Sequence, residues 1–214
     1  MTEGRVLLKD QAYERLKELV LSETLPPGGF VSERQLAARL GMSKTPVKAG
    51  LERLAHEGFL TISPQQGVVV REIPTHEIVD LFDIRIALET FTASQLAGRL
   101  TPGQVARLRA NLDAQRGAVP RGDVRLSTAL DEEFHLLLSE FLGNREVLRV
   151  MLSLRDRLTR VISWVFRRAP NRFEASFQDH ERILAALIAG DATLASGRVR
   201  EHLEFGKLFL VTLR

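Results

Sequence analysis

Apolar positions recur along this chain at two different spacings, and the change of spacing divides it. Between residues 9 and 22, Ala12, Leu16, Leu19 and Val20 fall at the three- and four-residue intervals of one helix face. The breaker-rich "ETLPPGG" then reads as a loop. Ser32 is placed to cap a short helix, "ERQLAARL", with Glu33 and Arg34 in its first turn and Gly41 at its end. Ser43 is placed to cap a third helix, "KTPVKAGLERLAHEG"; its first turn tolerates Pro46, and Gly58 terminates it. Next, "FLTIS" and "VVVRE" are apolar, β-branched runs on either side of the turn-rich "PQQG", which predicts a hairpin. Helix, short helix, turn, helix, hairpin is the order of a winged helix-turn-helix, with Gly41 where the tight turn needs a permissive backbone.

Past Pro74 no segment reads as strand. Pro74 breaks the preceding element, and Thr75 is placed to cap the first helix of the second part. Helical periods then run near 75–99, 102–116, 123–142, 144–168, 171–189 and 191–213, separated by Thr101-Pro102, "GAVPRGD", "LGN", "RAPN" and "AGD". The expectation is a mainly α protein: a winged helix-turn-helix of three helices and a hairpin over 1–73, then an all-α bundle of six helices over 75–214.

Composition changes this picture little. Of 214 residues, 44% are hydrophobic and 27% charged, which suits a globular chain with a sizeable core. The absence of cysteine excludes disulfides, thiolate metal sites and cysteine nucleophiles. No basic-then-apolar leader opens the chain, and no apolar run approaches the roughly 18–20 residues of a membrane span, so a cytoplasmic protein is expected. A net charge of +3 leans only mildly toward polyanions, so the position of the charges must carry that argument.

On the third helix, Lys44 and Lys48 are one turn apart with Ser43 and Thr45 close by, while Val47, Leu51 and Leu54 occupy the other side. A DNA-recognition helix needs this division: one side packs, and cations and hydroxyls near its N-terminus reach bases and phosphates. Two lysines on a helix are also what a solvated face looks like; the preceding helix, turn and wing tip the balance toward DNA. The stretch "VSERQLAARLGMSKTPVKAGLERLAHEGFLTISPQQGVVV" resembles the winged helix-turn-helix of the GntR family of bacterial transcription regulators. The carrying motifs are the "SKTPV" start of the recognition helix, the "LERLAHEGF" exit and the "GVVV" wing. The resemblance implies operator binding as a homodimer, with Arg34, Ser43, Lys44, Thr45 and Lys48, and Gln65, Gln66 and Gly67 at the wing, facing DNA. Where the family commonly has arginine this chain has Lys44 and Lys48, and lysine is a mobile point charge rather than a bidentate reader of guanine.

The helical half poses a different question. In "STALDEEFHLLLSEFLGN", Asp131 and His135 lie one turn apart on a stripe continued by Leu138 and Leu142. His180 sits among Phe173, Phe177, Leu184 and Leu187, and His202 among Val199, Phe205 and Phe209. Burying such groups costs free energy unless something pairs with them. A hydrogen-bonded core is one answer; a divalent transition metal, zinc or nickel, bound by one carboxylate and three imidazoles is the other. Arg85, among Ile78, Leu81, Phe82 and Leu88, either pairs with Glu89 or points to an anionic ligand. Arg155 raises the same question, or snorkels to the surface. His56 near a helix C-terminus is explained by the helix dipole, and His76 has no such context. Leu136 lies on the polar side of its helix and suits contact with another helix or a second subunit.

"DIRIALE", "DEEFH" with the following "GN", "DHERILAALIAGD" and "EHL" resemble the FCD effector domain of the FadR subfamily, in its shorter, VanR-like branch. That resemblance implies a metal site at Asp131, His135, His180 and His202, and a small carboxylate effector beside it, with Arg85 and Arg155 as candidate contacts. The expected function is a ligand-responsive transcription regulator, a repressor relieved by its ligand. Two rivals are a metal-sensing repressor without an organic effector, and a metal-dependent enzyme fused to a DNA-binding module. Against the enzyme stand the lack of a phosphate loop, of a nucleophile elbow and of paired Glu-x-x-His motifs.

Overall fold

Pro74, with φ fixed at −62° and an extended ψ, lies where the chain turns from mixed to wholly helical structure. Two units meet there in sequence, Met1–Ile73 and Pro74–Arg214. The computed structural model describes residues 7–63 and 67–212.

The first unit runs α1 (Leu8–Leu21), β1 (Phe30–Val31), α2 (Glu33–Leu40), α3 (Lys44–His56), β2 (Leu60–Ser63) and β3 (Gly67–Val70). A full capping box starts α2: the Ser32 hydroxyl accepts from the Gln35 amide, and the Gln35 side chain accepts from the Ser32 amide. Gly41 ends α2 in the left-handed region, φ 63°, so that α3 can start three residues later. Ser43 does occupy the N-cap of α3, but its side chain makes no capping bond. The expected hairpin is really a three-stranded antiparallel sheet in the order β1-β3-β2, with Phe30 opposite Val69 and Thr61 opposite Val69 from the other side. Two residues of β1 are too few to show a period, which is why the sequence pattern misses that strand. The core beneath is Leu16, Leu36, Val47, Leu51, Leu54 and Val68, each almost fully buried and each contributing about 1.5–3 kcal/mol by burial.

The second unit is a bundle of α4 (Thr75–Leu96), α5 (Pro102–Ala118), α6 (Val124–Leu142), α7 (Arg145–Arg168), α8 (Asn171–Ala189) and α9 (Ala192–Thr212). Thr75 is the first helical residue of α4, not its cap; Pro74 holds the cap position because its ring presets the entry into the helix. Part of the expected breaker "GAVPRGD" is ordered, since α5 continues to Ala118 and a 3-10 turn comes next over Val119–Arg121. α4 and α9 pack along each other, α6 packs against α4, α5 and α7, and α8 packs against α9. Phe134, Leu138, Ile183, Leu187, Val199 and Leu203 fill the centre. Among the described residues, no helix is long and apolar enough to cross a membrane.

Candidate metal centre and nucleic-acid interface

Three helices of the bundle bring polar groups into its middle. The one-turn spacing of Asp131 and His135 places both on the inner side of α6, α8 supplies His180 and α9 supplies His202. They are 3, 2, 0 and 8% exposed, and one ligand atom from each lies within 4.8 Å of all the others. Phe134 stacks on the His180 ring at 4.2 Å and closes one side.

The partners outside this cluster decide what it can hold. The His135 Nδ1 lies 2.5 Å from Glu89 Oε2, and Glu89 in turn accepts from Arg85 Nε at 2.6 Å. Burial alone would raise the Glu89 pKa, but Arg85 and His135 beside it bring it down to about 2. Glu89 is therefore an ionised acceptor, and the Nδ1 of His135 must donate to it. The His180 Nδ1 lies 2.9 Å from Gln115 Oε1, while the Gln115 nitrogen is already given to Asn111 Oδ1 at 2.7 Å. So His180 also donates from Nδ1. The Nε2 atoms of His135 and His180 then face each other at 3.2 Å with a lone pair each and no proton between them. Burial, with the neighbouring imidazoles and Arg85, holds the His180 pKa well below its ordinary value; burial and Arg85 lower that of His135. Two neutral acceptors at that separation repel unless a cation lies between them. Neutral imidazoles anchored through Nδ1 and offering Nε2 are what a transition metal requires. His202 Nδ1 is similarly within 3.4 Å of Asp179 Oδ2, and Asp131 Oδ1 accepts from Ser176 Oγ at 2.9 Å. The donor set fits a divalent ion.

A cavity of about 40 Å³ opens beside the cluster, lined by Asp131 and His202, by Arg85 and Arg172, and by apolar groups including Phe82 and Phe166. Arg85 thus pairs with Glu89 and lines the cavity at once. Arg155 does neither: its side chain is 55% exposed and lies 3.6 Å from Glu132, away from the cavity lining. Glu89, Gln115, Asp179, Ser176 and Arg172 were not anticipated as parts of the site. Arg172, Ser176 and His180 repeat every four residues along α8, a spacing that could have shown two of them.

In the first unit, Arg34, Ser43, Lys44, Thr45 and Lys48 all lie at least partly open to solvent, while Val47, Gly50, Leu51 and Leu54 bury the other side of α3. Lys48 approaches Glu52 only at 3.9 Å, both well exposed, so its charge stays available. Gly67 starts β3 at φ 113°, and a Cβ there would come within 2.8 Å of the Phe30 ring; packing between strands is enough to require it. Gln65 and Gln66 lie outside the described residues.

Comparison with known proteins covers both units. The model of the FCD domain matches residues 80–205, and that of the bacterial regulatory proteins of the gntR family matches residues 8–70. An HTH-type transcriptional regulator in an unstable DNA locus of Streptomyces ambofaciens is 33% identical, over 94% of this chain and 84% of that protein. The HTH-type transcriptional repressor RspR of Escherichia coli K12 is 27% identical, over 92% of this chain and 86% of that protein. Among solved structures, McbR/YncC of E. coli shares the fold with a TM-score of 0.79 at 24% identity, covering 98% of this chain and 99% of that one.

Proposed function

The chain belongs to the GntR family of bacterial regulatory proteins and carries an FCD domain, and from that premise we propose that it is a repressor whose operator affinity is set by a small organic acid bound beside a metal ion. The DNA-binding regulator itself follows from the family; metal, acid and sign of regulation are the reading. The observation that supports it is the buried cluster in which the Nε2 atoms of His135 and His180 face each other at 3.2 Å, and whose other two members, Asp131 and His202, line a cavity together with Arg85.

In this reading unit 1–73 binds DNA and unit 74–214 senses the ligand. Ser43, Lys44, Thr45 and Lys48 meet bases and phosphates from α3, Arg34 meets the backbone from the start of α2, and Gln65, Gln66 and Gly67 form the wing. Two copies read a two-fold operator in the cytoplasm. Asp131, His135, His180 and His202 hold a divalent ion such as zinc or nickel. When bound, the ion supplies open coordination positions that attract a carboxylate. Glu89, Gln115 and Asp179 hold the three imidazoles in register through their Nδ1 atoms. Arg85, fixed by Glu89, presents positive charge to the acid, and the apolar walls select its shape. The acid binds one arrangement of the dimer better than another, which changes the spacing of the two recognition helices.

The deciding experiment is metal analysis by plasma mass spectrometry on tag-free full-length protein, beside a His180→Ala variant, both after incubation with zinc or nickel. About one equivalent in the wild type, lost in the variant, is expected. No metal in either protein would overturn the metal reading and leave a hydrogen-bonded core.

A further inference from the structure

Arg172 differs from the other arginine at the bundle's interior site. It opens α8, it is half-buried, and its guanidinium lies over the Phe205 ring at 3.9 Å, with Phe209 at 5.7 Å. It lines the same cavity as Arg85, Asp131 and His202. Arg85 is tied to Glu89, whereas the Arg172 guanidinium makes no hydrogen bond or ion pair among the described residues. A guanidinium that has lost part of its water and gained no acceptor is a binding group in want of an anion. The aromatic ring beneath it restricts its motion, so little further ordering is needed when an anion arrives.

Charge balance points the same way. With a divalent ion in the cluster, the positive groups around the cavity are the ion, Arg85 and Arg172; the negative ones are Asp131 and Glu89. Asp179, which also faces Arg172, is balanced by Arg182 at 2.9 Å. Two positive charges are left without a partner. A monocarboxylate cancels one of them. The cavity, about 40 Å³, is small beside the roughly 300–1,000 Å³ of pockets for drug-sized molecules, so a sugar or an aromatic acid would have to displace its walls.

We propose that the effector is a short aliphatic diacid, held by one carboxylate at the metal and Arg85 and by the other at Arg172. This rests on the metal-and-acid reading above and adds to it a second anchor and a ligand class. Arg172 then sets specificity: it rewards a second carboxylate and leaves the first untouched. Because it stacks on α9 while belonging to α8, occupation of this anchor also bears on how those two helices are held together.

The test is calorimetric titration of metal-loaded full-length protein with malonate and succinate, against propionate and butyrate of matching chain length, and against inorganic phosphate. The wild type should bind the better diacid at least tenfold tighter than its monoacid counterpart. Arg172→Gln should bind both alike, near the wild-type monoacid affinity, with unchanged metal content; Arg172→Lys should keep part of the preference. Equal affinity for monoacid and diacid in the wild type would overturn the second anchor while sparing metal-dependent acid binding. So would a Gln variant that weakens both acids equally, or phosphate binding tighter than either diacid. Absence of binding by every acid, with metal present, would overturn the effector reading and this inference together.

Discussion

Unit 1–73 buries mostly apolar residues among those described, and its buried Tyr13 sends its hydroxyl to the partly exposed Glu57 at 2.8 Å on the margin. Every buried polar or charged residue among those described lies in unit 74–214, including Arg85, Glu89, Asp131, His135, His180 and His202. On the function proposed above, the difference comes from what each unit must touch. DNA is larger than the protein that reads it, so the reading groups have to stand on the surface, and the core beneath is free to be only a core. A small ligand must be surrounded, so its binding groups sit where a core would otherwise be. In the first unit, then, recognition and stability should be separable by mutation. In the second they should not.

The largest expected effect is that of removing the metal. The single tryptophan, Trp164, lies on α7 of the second unit and the single tyrosine, Tyr13, on α1 of the first, so the two can be followed separately. If metal is present at a thousandfold excess over its Kd, stripping it costs about 4 kcal/mol. For a unit of this size that lowers the melting temperature by more than about 10 °C. Thermal melting followed by Trp164 fluorescence should show that shift on addition of a strong chelator, and Tyr13 fluorescence should not. Coincident shifts in both signals would break the comparison, because the two units would then unfold as one.

Glu89→Gln sharpens it. The exchange is nearly isosteric but leaves Arg85 without its counter-ion and His135 without the anion that fixes its tautomer. Breaking a buried pair on one side costs about 3–5 kcal/mol, and losing such an outer partner costs about 10- to 100-fold in metal affinity. Glu57→Gln in the first unit makes the same chemical change to a carboxylate that holds Tyr13 and Arg53, but at the surface. There the loss should stay below about 1 kcal/mol. Urea denaturation of both variants measures the contrast, and equal losses would show that burial is not what separates the units.

The same contrast explains what the sequence shows and what it hides. The winged helix-turn-helix announces itself because it is local: the Ser32 cap, the Gly41 turn, the start of α3 after Ser43 and the "EGF" exit lie close together along the chain. The four members of the buried cluster are legible because a charged or imidazole side chain on an apolar stripe breaks the helical pattern. Their outer partners break nothing. Gln115 lies on a helix with polar residues on every side, and Asp179 looks like any exposed acid beside His180 until α9 brings His202 to it. The pattern around Arg155 leaves open whether its charge points inward or reaches the surface; its side chain is 55% exposed, and Leu152 beside it is 48% exposed, so the apolar neighbours there do not mark a buried face. Strand β1 is hidden for a third reason, since pairing with β3 and not its own two residues makes it a strand.

Lys48→Ala carries the smallest effect on stability and the cleanest on function. Lys48 is exposed, and its nearest anion, Glu52, is 3.9 Å away across solvent, so nothing in the fold depends on it. Unfolding free energy should change by no more than about 0.5 kcal/mol. Binding to a duplex selected from a random pool should weaken, and the slope of log K against log salt should fall by about one as one phosphate contact is lost. Fluorescence anisotropy across a salt series measures both at once. A weaker complex with an unchanged slope would move Lys48 from phosphate to base contact, still on the surface and still separable from the core. A loss of stability comparable to that of Glu89→Gln would do more damage: it would mean that the reading face of the first unit, like the ligand site of the second, is part of what holds the unit together.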